Sequence, residues 1–407
     1  MDDDFRERAA ALDAADPLGP FRQRFVVEPD LVAYLDGNSL GRLPLSTRER
    51  LATFVREEWG GRLVRGWDEG WSELPTTVGD ELGALLGAAP GQVVVGDSTS
   101  IGLAKALHAA AGLRPGRTRL VVNGGDFPTD RYLAHAVAEA RGLELVTLTP
   151  LPDGSLANDE IVATFDERTA VVLLSHVDYR TGALLDLPAI TARAHDAGAV
   201  VVWDLCHSAG VVPVDLDATG VDLAVGCTDK YLNGGPGAPA FVYAAARHLP
   251  ELRQPLPGWW SADDVFAMAD VHRPAPDARR LLTGTPNVAG LLAVREGVAL
   301  AAEAGIAAAR TKSGRLTAYC LDALDTMAES GLPLRVVTPR HPWRRGGHVT
   351  VQVEDAHGVE RRLRERGVVV DVRDPDLLRL GLAPLTTSYR ELHDAMRVLA
   401  EVLTPAH

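Results

Sequence analysis

Residues 199–239 read AVVVWDLCHSAGVVPVDLDATGVDLAVGCTDKYLNGGPGAP. The apolar run at the start predicts a buried strand that ends in Asp204, and His207 follows about one turn later. Lys230 stands directly before the turn-forming segment that contains Gly-Gly-Pro-Gly. The stretch therefore supplies an acid for a pyridinium nitrogen, an imidazole beside it and an amine for a carbonyl, which predicts a pyridoxal phosphate (PLP) site.

Strands and helices alternate through the residues that precede this stretch. The pattern predicts strands at 93–95, 119–122, 143–148, 170–174 and 200–204, with helices at 101–111, 130–140 and 188–197. Apolar strands between amphipathic helices indicate a mostly parallel sheet that is buried on both faces. Ligands of such sheets gather at the carboxyl ends of the strands. Polar clusters fall at those ends, at 97–100, 126–130, 175–178 and 204–207.

A smaller lobe is predicted from the residues beyond Pro239. After a strand at 241–243, an alanine-rich helical region covers 288–329 with a break at Gly305. Shorter elements follow, with strands at 347–353, 368–372 and 378–382 and helices at 359–366 and 389–403. We therefore expect an α/β protein with a large, mostly parallel but mixed sheet domain and a smaller α+β domain. The predicted boundaries are 1–45 for an N-terminal segment that joins the small domain, 46–300 for the large domain and 301–407 for the small domain.

Charge and cysteine content exclude several classes of function. Lys and Arg total 41 against 55 Asp and Glu, a formal charge of −14, which argues against nucleic acid and anionic membranes and favours a small organic substrate. Cys206, Cys227 and Cys320 show no metal-ligand spacing, so no metal site is expected, and their odd number indicates reduced thiols. The acidic N-terminus lacks the basic start and apolar run of a signal peptide, which predicts a cytoplasmic protein without membrane spans.

The residues themselves favour a PLP site over simpler explanations. A carboxylate at the end of a buried strand, such as Asp204, needs a partner, and a protonated pyridine nitrogen is a suitable one. A lone lysine before a turn is usually solvated, but Lys230 combined with Asp204 and His207 is suited to a Schiff base. Thr99 and Ser100 begin a helix and offer an anion site, although taken alone a plain helix cap is the more common explanation.

Two further features have two explanations each from sequence alone. The loop 34–42, YLDGNSLGR, contains Asn38 and Ser39 and forms either a simple turn or an edge of the active site. Three tryptophans, Trp59, Trp67 and Trp71, either pack in the core or form a wall for an aromatic substrate.

Several long motifs resemble those of bacterial kynureninases. They are DLCHSAG at 204–210, KYLNGGPGAP at 230–239, YLDGNSLG at 34–41, DSTS at 97–100, FPTD at 127–130 and GWW at 258–260. The resemblance extends from about Tyr34 to Pro384. It implies a fold-type I PLP-dependent transferase fold and a homodimer with shared active sites. The implied activity is that of a PLP-dependent hydrolase in tryptophan catabolism, which cleaves the Cβ–Cγ bond of L-kynurenine or a substituted kynurenine to an anthranilate and L-alanine.

The resemblance also implies roles for individual residues. Lys230 would carry the cofactor and Asp204 would pair with its pyridine nitrogen. The other cofactor residues implied are Thr99 and Ser100 at the phosphate, Phe127 on the ring, Asp130 and His207 beside it, and Trp259 and Thr285 from the neighbouring subunit. Arg379 would bind the α-carboxylate of an amino-acid substrate, a role suited to a guanidinium fork. Trp67, Asn38 and Ser39 would complete the substrate pocket.

One departure from the family pattern lies directly beside the lysine. Asp229 stands where relatives carry a tyrosine that meets the cofactor phosphate and takes part in proton transfer, so Asp229 is a third predicted catalytic position beside Lys230 and Asp204. Asp178 likewise replaces an expected asparagine. An anionic side chain is badly matched to a phosphate dianion. We therefore hypothesise that ordinary kynurenine turnover is reduced or redirected in this protein.

Three other functions are considered beside this hypothesis. Another fold-type I lyase or desulfurase would retain Lys230 and Asp204, but would need a catalytic group of its own. A non-catalytic binding protein on the same fold is the second alternative. A nicotinamide-dependent dehydrogenase would require a Gly-x-Gly-x-x-Gly turn after the first strand, and the sequence has none there.

Overall fold

Helices and strands alternate along most of the chain in this computed structural model, which describes residues 3–151 and 153–404 without the side chain of Asn158. The helices are α1 (Asp3–Ala14), α2 (Leu45–Thr53), α3 (Gly60–Arg62), α4 (Leu74–Leu86), α5 (Thr99–Gly112), α6 (Pro128–Arg141), α7 (Asn158–Ala163), α8 (Leu187–Asp196), α9 (Val288–Ala304), α10 (Ile306–Glu329), α11 (Ala356–Glu365) and α12 (Tyr389–Leu403). The strands are β1 (Ala33–Tyr34), β2 (Val93–Val95), β3 (Arg119–Asn123), β4 (Glu144–Leu148), β5 (Thr169–Ser175), β6 (Val200–Asp204), β7 (Leu223–Gly226), β8 (Phe241–Ala244), β9 (Leu334–Val336), β10 (His348–Val353), β11 (Val368–Val369), β12 (Asp371–Arg373) and β13 (Leu377–Gly381). A π-helical segment, Phe54–Trp59, continues α2.

A seven-stranded sheet forms the centre of the large lobe, in the order β2-β8-β7-β6-β5-β3-β4. The ladders between β4, β3, β5, β6 and β7 are parallel, whereas β8 runs antiparallel to both β7 and β2. The predicted α/β class and the mostly parallel, mixed sheet are confirmed. The four consecutive parallel ladders bring their carboxyl ends to one edge, where side chains that are distant in sequence meet.

The central strands are covered on both faces because successive side chains of a strand point in opposite directions. In β6, Val201 and Trp203 pack into one apolar cluster, while Val200 and Val202 belong to the cluster on the other side. Each such side chain contributes roughly 1.5–3 kcal/mol by its removal from water. A strand buried on both faces reads as a continuous apolar run, which is why β6 could be recognised from sequence.

The smaller lobe has a core of its own around a four-stranded sheet, β12-β13-β10-β9. N-terminal residues join this core: Ala9, Ala33 and Leu35 pack into it, and β1 pairs in parallel with β11. The division at residues 45 and 300 stays a prediction. Among the described residues, none of the helices has the length and apolar character needed to cross a membrane.

Some elements differ from those expected from the sequence. The predicted strand at 368–372 is two strands, because β11 pairs with β1 whereas β12 pairs with β13 in the other sheet. Strands β7 and β9 and helix α7 were not predicted, since each is too short to show a clear hydrophobic period. The predicted break at Gly305 is confirmed: this residue separates α9 from α10 with a φ of 76°.

Candidate active site

A cavity of about 310 Å³ opens at the carboxyl edge of the parallel strands. The residues that line it come from the ends of β5, β6 and β7, from the beginnings of α5 and α6, and from the segment after β7. They are Ser98, Thr99, Ser100, Phe127, Thr129, Asp130, Ser175, Tyr179, Asp204, Cys206, His207, Cys227, Asp229, Lys230, Gly237 and Ala238. Seven predicted cofactor residues, Thr99, Ser100, Phe127, Asp130, Asp204, His207 and Lys230, therefore lie around one space, together with Asp229.

Lys230 brings a primary amine to this cavity. Its Nζ lies 3.5 Å from Nδ1 of His207. Burial opposes the charge on the amine, but the neighbouring acidic groups, led by Cys227 and Cys206, outweigh it and raise the pKa of Lys230 above its ordinary value. Burial, with the nearby Lys230 charge, holds the pKa of His207 well below its ordinary value, so this imidazole is neutral at physiological pH.

The loop that contains Asn38 and Ser39 lies against the lysine segment. The amide of Gly41 donates to the carbonyl oxygen of Asp229 at 2.7 Å. A Cβ added at Gly41 would overlap the carbonyl oxygen of Lys230, so only glycine allows this close approach. Of the two explanations left by the sequence, the structure therefore supports an edge of the active site.

Asp204 lies buried at the end of β6 with its carboxylate beside a second acid. Its Oδ1 accepts from the Cys206 amide at 2.6 Å, and its carboxylate is hydrogen-bonded to that of Asp130. Burial, followed by the charge of Asp204, raises the pKa of Asp130 well above its ordinary value. This shift favours the protonated form of Asp130, so that Asp204 is the acid of the pair suited to a cationic ring nitrogen.

A third buried acid, Asp126, was not predicted as a site residue. It accepts from the Asn123 side chain at 3.0 Å and from the Ser175 amide at 3.2 Å. Burial and the nearby charge of Asp178 raise the pKa of Asp126 to about 8. Its position after β3 was visible in the sequence, but its closeness to the other acids depends on the strand order.

The beginning of α5 offers donors to an anion. The first amides of a helix have no acceptor within it, and the Ser98 hydroxyl, at the cap, accepts the amide of Ile101. The amides and hydroxyls of Thr99 and Ser100 are therefore available at the cavity. Lys105, further along α5, is held by Asp97 at 2.6 Å and by the Leu281 carbonyl at 2.7 Å.

The charge balance of the cavity lining is unusual for an anion site. Among the described lining residues Lys230 is the one cationic side chain, whereas Asp130, Asp204 and Asp229 are acids. The raised pKa of Asp130 favours its neutral form, so two other acids, Asp204 and Asp229, share the lining with one amine. Asp229 belongs to the same lining as Thr99 and Ser100, which places a negative charge in the space that holds the anion donors.

Phe127 presents an aromatic face to the same space. Its side chain is 43% exposed, although it begins α6 at the edge of the sheet. Tyr179 meets it edge to face, with ring centroids 5.2 Å apart. An exposed ring in a polar cavity indicates a surface on which a flat heteroaromatic group can stack.

Arg379, on β13, lies next to the cavity rather than in its lining. It is 1% exposed, and its Nη1 lies 3.5 Å from Nε2 of His207, so the imidazole stands between Arg379 and Lys230. Nε donates to Oδ1 of Asp371 at 2.9 Å, Nη2 donates to Ser39 at 2.6 Å, and Nη1 donates to the Tyr179 carbonyl at 2.6 Å. Asp371 was not predicted, since its contact with Arg379 arises only from the pairing of β12 with β13.

Unpartnered polar groups surround this arginine. Both nitrogens of His348, both polar atoms of Asn38 and the hydroxyl of Tyr231 are buried without a hydrogen-bond partner in the described structure. His348 lies opposite Gly381 in the sheet, and its ring centroid is 5.6 Å from that of His207. Buried polar atoms normally find partners, so these groups indicate a place for bound water or a polar ligand.

Six predicted site residues lie outside the cavity lining in the single chain: Arg379, Asn38 and Ser39 lie next to it, and Trp67, Trp259 and Thr285 lie elsewhere. Trp67 packs against Trp71 and Trp260, with ring centroids 5.5 and 5.3 Å apart. Trp259 is 40% exposed, and Thr285 is exposed on the loop before α9. Asp178 does not line the cavity either: it accepts from the amides of Arg180 and Thr181 and from the Thr181 hydroxyl, and so shapes a turn.

The residues present fit PLP. The exposed face of Phe127 suits the ring, the buried carboxylate of Asp204 suits a pyridinium nitrogen, and Lys230 suits the aldehyde. The hydroxyls and amides of Thr99 and Ser100 suit a phosphate. Only Asp229 is mismatched, because its charge repels that phosphate.

Comparisons with known proteins identify the family of this chain. The family model described as Aminotransferase class-V matches residues 72–372. A kynureninase of Pseudomonas fluorescens is 40% identical over 403 residues, 98% of this chain and 95% of that protein, and a kynureninase of Deinococcus radiodurans is 43% identical over 399 residues, 97% and 95% of the two chains.

Solved structures of cysteine desulfurases share the fold. One from Thermococcus onnurineus superimposes with a TM-score of 0.81 at 18% identity and covers 94% of this chain and 97% of its own. One from Escherichia coli gives 0.81 at 19% identity, with 95% and 98% covered. At such identities the likeness shows the fold and not the reaction.

Proposed function

We propose a catalytic or binding role for each residue of the site in this chain, which belongs to the kynureninases within the aminotransferase class-V family. The protein is a PLP-dependent enzyme with kynureninase-like activity. Its substrate is L-kynurenine or a substituted kynurenine, and its products are an anthranilate and L-alanine. The observation that carries the assignment is a row of three groups. His207 lies between the Lys230 amine and the Arg379 guanidinium, and one of its ring nitrogens is 3.5 Å from each of them.

The cofactor residues hold PLP and set its charge. When bound, PLP supplies an electron sink that stabilises negative charge on the substrate carbons. Asp204 would pair with the protonated ring nitrogen, and Asp130, whose raised pKa favours its neutral form, would help to orient Asp204. Phe127 would cover the ring, while Thr99 and Ser100 would hold the phosphate at the beginning of α5.

Lys230 would hold the cofactor through its amine and could then move protons at the substrate. Tyr179 and His207 border its cavity, and the loop 34–42 packs against the lysine segment, so bulk water has limited access to the amine. Neutral His207 accepts a hydrogen bond from the ammonium form of Lys230 and so helps to orient the amine. A water admitted to the cavity supplies the hydroxyl of the released aromatic acid.

Arg379 binds the α-carboxylate of the substrate. A guanidinium has five N–H donors, and Asp371, Ser39 and the Tyr179 carbonyl occupy most of them. The remaining Nη1 donor points toward His207 and the Lys230 cavity. Asn38, buried and without partners in the described structure, supplies further hydrogen-bonding capacity at the same end.

A homodimer would complete the site with Trp259 and Thr285 from the neighbouring subunit. Large exposed apolar side chains gather in two segments, 55–64 and 256–271, and the two regions are adjacent because Trp67, just after the first segment, packs against Trp260 of the second. Such a surface favours burial against a second copy. Hybrids of Lys230→Ala and Trp259→Ala subunits should regain activity that neither variant has alone, because each hybrid contains one intact site. Absence of recovery in confirmed hybrids would contradict the shared site.

Asp229 reduces or redirects turnover of kynurenine in this proposal. The support is its place in the lining with Thr99 and Ser100, where its charge opposes the cofactor phosphate. The alternative of a desulfurase has only the shared fold in its favour. A cytoplasmic location remains a prediction, supported by three unpaired cysteines.

Product analysis tests the proposed function. Purified protein loaded with PLP is incubated with L-kynurenine, 3-hydroxykynurenine and ring-modified analogues, and the aromatic acid and alanine are quantified. Equal amounts of the two products are expected from at least one of these substrates, and Lys230→Ala should form neither. Release of alanine without the aromatic acid, or no product from any analogue by protein shown to hold PLP, would overturn the proposal.

A further inference from the structure

Two cysteines lie side by side at the carboxyl edge of the sheet. Cys206 follows β6 and Cys227 follows β7, and these strands are parallel neighbours with Asp204 opposite Val225. Cys206 lies two residues after Asp204, and Cys227 lies two residues after Val225, so the two cysteines occupy matching positions on neighbouring strands. Neighbouring strands lie about 4.8 Å apart, which falls within the Cα separation of about 4.4–6.8 Å that a disulfide spans.

Direct contacts confirm that the two residues touch. The Cys227 amide donates to the Cys206 sulfur at 3.2 Å, and the Cys227 thiol donates to the Cys206 carbonyl at 3.7 Å. The Cys206 thiol also lies 3.9 Å from the hydroxyl of Thr99. Both cysteines line the cavity that contains Lys230, so small reagents that enter this cavity reach the pair.

The two thiols differ in their surroundings. Cys206 is 8% exposed, and the adjacent Cys227 thiol, followed by burial and the charge of Asp204, raises the pKa of Cys206 well above its ordinary value. Cys227 is partly exposed. The more accessible Cys227 is therefore the thiol that reacts first, and Cys206 is placed to resolve its product.

We propose that Cys206 and Cys227 are an oxidisable dithiol that a hydroperoxide converts to a disulfide within the cofactor cavity. The Cys227 sulfur attacks one peroxide oxygen, the O–O bond breaks, and water or an alcohol leaves while a sulfenic acid forms. The Cys206 sulfur then attacks the Cys227 sulfur, so that an S–S bond forms, the S–O bond breaks and a water leaves. The two thiols lose two electrons and two protons, and the peroxide gains them.

Formation of this disulfide has a consequence for the cofactor. An S–S bond of about 2.05 Å draws the two sulfurs together. Cys206 comes two residues after Asp204, and Cys227 comes three residues before Lys230, so the segments that carry both groups shift with the sulfurs. The oxidised protein should bind PLP about tenfold more weakly, equivalent to about 1.4 kcal/mol. Bound PLP covers the same lining and should slow oxidation.

The test is a comparison of cysteine variants under peroxide. Apo and PLP-loaded protein are treated with hydrogen peroxide, free thiols are alkylated after denaturation, and peptides are mapped by mass spectrometry. A peptide pair linked through Cys206 and Cys227 is expected, formed more slowly in the loaded protein and cleaved by dithiothreitol. The Cys320→Ser variant is the matched control, because Cys320 is fully buried in α10, and it should form the same link.

A second probe detects the pair without oxidation. Phenylarsine oxide bridges two adjacent thiols and releases one water, and it should add one bridging group to the native protein but none to Cys206→Ser or Cys227→Ser. The PLP dissociation constant of peroxide-treated protein is measured by absorbance titration before and after dithiothreitol. Reduction should return this constant to the value of the untreated protein. Separate overoxidation of the two cysteines without a linked peptide, or a linked protein that binds PLP unchanged, would overturn the proposal.

Discussion

Arg379 is held in one orientation by Asp371, its neighbour across the small sheet. The two residues are cross-strand partners in the β12–β13 ladder, and both Nε and Nη2 of the guanidinium donate to the Asp371 carboxylate. Arg373 shares the same carboxylate through a contact of 2.7 Å. Two cations around the Asp371 carboxylate leave a net positive charge beside the cavity as long as the nearby Asp36 is neutral, and this charge suits an incoming carboxylate.

Replacement of Arg379 by lysine should impair substrate binding. An ammonium group cannot donate at the same time to Asp371, Ser39 and the Tyr179 carbonyl and still reach a substrate. Since a hydrogen bond to a charged group contributes about 1.5–3 kcal/mol, KM should rise at least about tenfold. Steady-state kinetics measure the change, and the absorbance of bound PLP should stay the same.

The matched control is Arg335→Lys, since Arg335 lies on β9 and bonds only the Gln352 side chain at an exposed position. This variant should keep the kinetic constants of the parent protein. Equal KM values for Arg379→Lys and the parent would show that another group holds the carboxylate.

Asp36 should make substrate binding depend on pH. Burial, with the charge of Asp371, raises the pKa of Asp36 to about 6, and its Oδ1 is buried without a partner in the described structure. Below this pKa Asp36 is neutral, whereas above it a negative charge appears beside Ser39 and Arg379 and opposes the substrate carboxylate. KM should therefore rise as pH increases through about 6.

The Asp36→Asn variant tests this dependence because it is neutral at every pH. Its KM should stay at the low-pH value where that of the parent protein rises. The range from about pH 5 to 8 includes the titration of Asp36. If both proteins show the same pH profile of KM over this range, another group causes the rise.

Asp229→Tyr should strengthen PLP binding. Removal of one carboxylate from the lining that holds Thr99 and Ser100 relieves repulsion of the phosphate, and the phenol hydroxyl adds a donor. We expect an affinity gain of about tenfold and faster turnover of kynurenine, measured by absorbance titration and by anthranilate fluorescence.

Asp229→Asn separates these two effects. It removes the charge without a phenol, so it should share the gain in PLP affinity but not the full gain in turnover. A parent protein that already converts kynurenine at ordinary enzyme rates, with no gain in Asp229→Tyr, would refute the hypothesis of reduced turnover.

Asp222 should make a large contribution to stability at neutral pH. It is buried directly before β7, and its carboxylate accepts from the Val201 amide of β6 at 2.8 Å. The same carboxylate contacts three side chains, His195 at 2.8 Å, His248 at 2.7 Å and Arg247 at 2.6 Å. Burial acts to raise the pKa of Asp222, but these hydrogen bonds outweigh it and lower the pKa. Asp222→Asn should cost about 1.5–3 kcal/mol, because the buried Val201 amide and the largely buried His248 lose a charged acceptor.

The sign of the pH effect follows from the lowered pKa. The stabilisation is fully present above the unfolded value of about 3.9 and is lost as pH falls toward the folded value. Urea unfolding at several pH values should therefore show the gap between parent and variant shrinking below about pH 4. Asp196→Asn, at an exposed surface pair with Arg193, should change stability by less than about 1 kcal/mol.

Much of the fold was predictable from local patterns. The apolar run of β6, the helical periods of α5 and α6 and the break at Gly305 are encoded within a few consecutive residues, because period and backbone preference are local properties. The same holds for the part of the site that lies in one stretch, since Asp204, His207 and Lys230 are recognisable within their own segment. Short elements such as β7, β9 and α7 were missed because they are shorter than the window in which a period shows.

The sequence by itself thus determined the α/β sheet, its ligand-binding edge and the residues suited to PLP. Only the tertiary structure decided which side chains meet there. Asp371 holds Arg379, Asp130 lies beside Asp204, and Cys206 touches Cys227 because strand order and register bring separate segments together. The physical reason is that the hydrophobic period of a segment depends only on the residues of that segment. The neighbours of a residue across the sheet, and its burial, depend on the packing of the whole chain.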